Sequence, residues 1–114
     1  MTTTLLFSRD AAGYNTYGVV SSDEKYSTTL SANVEQTIEV PDDAEKFLAV
    51  ISTSTGSNVW VAINNTATIP SGSFAATKSD LNPPALKVLP GQTMNFITAD
   101  TTAYVNVKFY SGIT

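Results

Sequence analysis

The chain has 114 residues with no cysteine and no histidine, six basic against ten acidic side chains, a net charge of −4 and a pI near 4.4. This excludes disulfides, thiolate nucleophiles, imidazole bases and nearly all zinc, copper or haem ligation. The scattered cations, Arg9, Lys25, Lys46, Lys78, Lys87 and Lys108, form no stripe for phosphates, so nucleic acid is not an expected partner.

Ser and Thr supply about a quarter of the residues and charged residues 14%, a balance that suits β surfaces rather than solvated helices. The chain length fits one domain spanning residues 1–114. The first residues hold no basic leader, and no stretch approaches the ~20 apolar residues of a membrane span, so a soluble protein without a signal peptide is expected. In chain order, residues 5–8, 14–20 and 26–30 read as strands interrupted by Gly13, Gly18 and Ser21-Ser22-Asp23. Residues 1–12 are either the first edge strand or an assembly arm that docks on a neighbour.

Residues 34–40 alternate Val34, Gln36, Ile38 and Val40 against Glu35, Thr37 and Glu39, the period of a half-buried strand, and Pro41-Asp42-Asp43 ends it. Residues 46–53 are nearly all apolar, as in a central strand covered on both faces. Gly56 lies in a polar turn, and residues 59–64 follow with Val61 and Ile63 opposite Trp60 and Ala62, so the two segments read as a hairpin with Trp60 in the core. Residues 65–84 are irregular, with turns at 70–73 and 82–84 around a short segment at 74–77, and read as a functional loop or a connection between two sheets. Residues 85–89 and 93–98 are strands separated by Pro90-Gly91, the latter with Met94 and Phe96 on one face. In residues 103–111, Val105, Val107 and Phe109 point inward and Tyr104, Asn106, Lys108 and Tyr110 outward. The expectation is an all-β fold, an antiparallel β-sandwich of jelly-roll type with seven to nine short strands.

Chemistry is sparse. Asp42, Asp43 and Glu45 form the densest acidic cluster, but consecutive acids after a strand-ending proline read as a solvated turn rather than a catalytic pair or a calcium site. Asp100-Thr101-Thr102 lacks the glycine of an aspartic-protease signature, and Asn64-Asn65-Thr66 fits a glycosylation acceptor without any secretion signal. No catalytic residue, metal ligand or cofactor site is assigned, and a non-enzymatic protein is expected. What stands out is a set of aromatic and apolar side chains suited to an interface or a sugar platform: Leu5, Leu6, Phe7, Tyr14, Tyr17, Tyr104 and Tyr110.

Residues 59–64 (Val-Trp-Val-Ala-Ile-Asn), then Ala67, Pro70 and Gly72, then Leu89-Pro90-Gly91-Gln92-Thr93, and finally residues 103–107 (Ala-Tyr-Val-Asn-Val) resemble small accessory virion proteins of tailed bacteriophages. The resemblance implies a capsid decoration or cement protein that stabilises the head shell, or a tail, neck or fibre component. Its partners would be the major capsid protein or other virion subunits and further copies of itself, and its location the virion, assembled in the host cytoplasm. A carbohydrate-binding β-sandwich module, with a glycan as partner, is the alternative.

Overall fold

Alternating side chains build the framework, and turns rich in Asn, Asp, Gly and Pro punctuate it. The computed structural model describes residues 2–9, 11–71, 74 and 76–113, which contain ten β-strands and no helix. These are β1 (Phe7–Arg9), β2 (Asn15–Val19), β3 (Glu24–Ser31), β4 (Gln36–Glu39) and β5 (Phe47–Thr53). There follow β6 (Val59–Ile63), β7 (Asp80–Leu81), β8 (Ala85–Val88), β9 (Thr93–Thr98) and β10 (Thr102–Tyr110).

Strands β3 to β10 form two four-stranded antiparallel sheets, ordered β3-β10-β5-β8 and β4-β9-β6-β7. The chain changes sheet at every step except between β6 and β7. That path is a jelly roll, as the sequence led one to expect, and its eight strands lie within the expected count. The remaining two, β1 and β2, pair with each other and with no further strand among the described residues.

The core lies between the inner faces. Strand β10 contributes Ala103, Val105, Val107 and Phe109, β5 contributes Phe47, Ala49 and Ile51, and Leu30 and Val88 close the same layer. The facing sheet supplies Val59, Val61, Met94 and Phe96. Phe47 and Phe109 are wholly buried, and the Tyr26 ring meets Phe109 edge-on at 5.8 Å. Buried Thr98 is satisfied by donating to the Asn58 carbonyl at 2.7 Å.

Three expectations are corrected. Segments 46–53 and 59–64 are not a hairpin: β5 pairs with β10 and β8, and β6 with β9 and β7, so the turn between them crosses from sheet to sheet. Trp60 is not in the core but half-buried on the outer face of the second sheet, opposite Leu81 and Ile97. The expected short segment at 74–77 forms no strand among its described residues, whereas the long loop 65–84 does link the two sheets, from β6 to β8, with β7 added beside β6 on the way. That loop folds over the second sheet, held by Ala67 N donating to Glu35 Oε2 (2.6 Å) and Thr68 N to Ser79 Oγ (3.0 Å).

Candidate functional site

The N-terminal segment begins as a strap across the end of β10. Ser111 N donates to Thr3 O and Leu5 N to Ser111 O, each at 2.8 Å, and Ser111 Oγ donates to Thr2 O at 3.0 Å. The strap lies so close that a Cβ added at Gly112 would stand 2.6 Å from Thr4 Cγ2, and the φ of +78° there is glycine's own territory. Its start is clasped to the acidic turn, with the Thr2 hydroxyl donating to Asp43 Oδ1 at 2.7 Å and the Thr2 amide to Oδ2. These two bonds stabilise the charged carboxylate, the hydroxyl contributing most, and hold its pKa below the usual range.

Beyond the strap, β1 and β2 leave the body as a two-stranded ribbon. Phe7 stands directly opposite Val19, and the register shifts before the Arg9–Asn15 pair. Arg9 donates to Gly13 O at 3.0 Å near the tip. The radius of gyration, 15.4 Å, exceeds the ~13 Å of a compact chain of this length, and the molecule is elongated, 51 Å in its longest extent against 29 and 25 Å in the others. The ribbon's apolar side chains are largely in water: Leu6 is 57% exposed, Phe7 52%, Tyr14 72% and Val19 45%. Cross-strand neighbours share a face, so Phe7 and Val19 form one apolar side and Leu6 stands on the other. A two-stranded ribbon by itself is marginal in water. This one has the composition of a segment completed by a further layer.

The structure therefore brings together Leu6, Phe7 and Tyr14, with Leu5 half-buried at the root, and adds Val19, which sequence reasoning passed over because the Val19-Val20 pair before a turn reads simply as the end of a strand. The side chain of Tyr17 lies outside the described residues. Tyr104 is elsewhere, 61% exposed on the outer face of the first sheet. Tyr110 is corrected: although its strand parity points it outward, it is 1% exposed, and its hydroxyl donates to Val20 O at 2.6 Å. It supports the root of the ribbon rather than offering a surface.

The polar motifs are engaged in structure. Asp100 Oδ2 accepts from Asn58 N at 2.9 Å, and Asn64 Oδ1 accepts from Thr93 N at 2.8 Å. Among the described residues, no three carboxylates come together as a metal site. Compared with family models, with curated proteins and with solved structures, the chain finds no match.

Proposed function

We propose that this protein is a non-enzymatic structural component of a bacteriophage particle, a jelly-roll decoration or cement subunit that attaches to the head shell through its N-terminal ribbon. The observation that carries this reading is the ribbon itself, which displays Leu6, Phe7, Tyr14 and Val19 to solvent on a segment that pairs with no sandwich strand among the described residues. A reach of this kind suits a small subunit that bridges larger ones. The major capsid protein would supply the surface that covers Phe7 and Val19, and many modest contacts on one lattice would hold by avidity. A tail, neck or fibre position uses the same attachment chemistry at lower copy number.

The test is reattachment. Recombinant protein is mixed with particles stripped of it, and the two are sedimented together. Wild-type protein should pellet with the particles, and the Leu6→Ser/Phe7→Ser variant, with its sandwich intact by circular dichroism, should stay in the supernatant. Equal pelleting of both forms would remove the ribbon from the interface.

A further inference from the structure

The outer face of the first sheet has a charge opposite to that of the protein. Strand registers and the Tyr104–Ser54 backbone bond place its outward side chains in rows: Thr29–Tyr104–Ser54, then Ser27–Asn106–Ser52, then Lys25–Lys108–Val50. Lys87 stands outward on β8 beside Leu48. No outward position on β3, β10, β5 or β8 carries a carboxylate, although the chain has ten, and Asp23 precedes β3 at the lysine end. Lys25 and Lys108 face each other directly across the β3–β10 ladder, and neither forms an ion pair among the described residues. Like charges in that position repel, and an anion lying between them relieves the repulsion.

The first two rows form a shallow open trough of about 370 Å³, lined by Ser27, Thr29, Ser52, Ser54, Tyr104 and Asn106 among others. Tyr104 is fixed there at the backbone, its amide donating to Ser54 Oγ (3.1 Å) and its carbonyl accepting from Ser54 N (3.0 Å), while its ring remains in solvent. Asn106 Nδ2 donates to Ser27 Oγ at 2.7 Å, which orients the amide and leaves Oδ1 to accept from a ligand hydroxyl. The site is therefore an exposed aromatic plane, then hydroxyl and amide groups, then two unneutralised ammonium groups. Along β10 from Tyr104 to Lys108 this covers about 13 Å, the span of a short oligosaccharide.

We infer that this trough binds an acidic oligosaccharide, with one ring stacked on Tyr104, ring hydroxyls bonded by Asn106, Ser27 and Ser52, and a carboxylate or sulfate between Lys25 and Lys108. Aromatic planes suit the C–H faces of sugar rings. The row of hydroxyls matches a ligand rich in hydroxyls, and the lysines select the acidic members. A nucleic acid would need a longer run of cations than this face has. The site is independent of the ribbon and stands whether or not the protein belongs to a virion.

Oligogalacturonate, sialyllactose and a chondroitin sulfate tetrasaccharide, each beside its neutral parent, would be titrated into isotope-labelled protein and followed by amide shifts. At least one acidic sugar should shift the amides of residues 25, 27, 104, 106 and 108 and exceed its parent in affinity. Tyr104→Ala and Lys25→Gln/Lys108→Gln should each weaken it about tenfold or more, with the fold unchanged. The inference fails if neutral parents bind equally, if these amides do not move, or if Tyr104→Ala binds as wild type. It fails also if the lysine variant loses particle attachment while no sugar binds, because the face would then be a protein contact.

Discussion

Tyr110→Phe isolates the support of the ribbon's root. The substitution keeps the buried ring and removes one bond, the 2.6 Å donation to Val20 O. Because the phenyl group still fills its place, no cavity opens, and the cost is that of one net hydrogen bond, about 1 kcal/mol. For a chain of this size, that lowers Tm by about 4 °C. Tyr110→Ala empties the site as well and should cost about 3–5 kcal/mol. Val20 N also donates to Leu6 O, so loosening Val20 frees both strands of the ribbon together. Thermal unfolding would read the global loss, and amide exchange over residues 4–20 the local one. For Tyr110→Phe, exchange in that segment should quicken through local opening, and the slowest amides of β5 and β10, which open only with the whole fold, should quicken by no more than the roughly fivefold that about 1 kcal/mol of lost global stability allows. If Tm and exchange both stay at the wild-type values, the root is held by something other than Tyr110.

The two phenylalanines Phe7 and Phe47 give the same chemistry in opposite settings. Phe47→Ala, at a wholly buried site, should cost about 3–5 kcal/mol in urea unfolding. Phe7→Ala should cost about 1 kcal/mol or less because half its ring is already in water, and comparable losses would place β1 in the fold rather than outside it. Acid should open the Thr2 clasp. The folded pKa of Asp43 is lowered, so the stabilisation is present above the ordinary carboxylate value of about 3.9 and is lost as pH falls through the folded value. The Thr2 amide resonance, followed downward from about pH 5, should report that transition, and in Asp43→Asn the transition should be missing.

The strands with the strongest apolar pattern are legible in the residues alone: β5 as a central strand, β9 with Met94 and Phe96 on one face, and β10 with Val105, Val107 and Phe109 inward. Pairing is less legible. The connection from β5 to β6 has the length and composition of a hairpin turn, and only the global path of the jelly roll sends it across to the other sheet. Tyr110 has an outward strand parity and is nevertheless buried, its hydroxyl meeting the carbonyl of Val20, a residue 90 positions earlier in the chain. Trp60 sits in an apolar strand, yet its partners Leu81 and Ile97 lie with it on the outer face. The apolar residues of the ribbon can be picked out by type, but that they stand clear of the sandwich depends on what does not pack against them. The Lys25–Lys108 pair is invisible in a sequence where the two residues are far apart, and it emerges only from the β3–β10 register.

The most direct test of the proposed role is the abundance of this chain in purified particles from its source, measured by quantitative peptide mass spectrometry against the major shell protein. A decoration or cement subunit should be present at a fixed ratio to the shell protein, in hundreds of copies per particle. Complete absence of its peptides from particles that contain the shell protein would contradict a structural role in the virion.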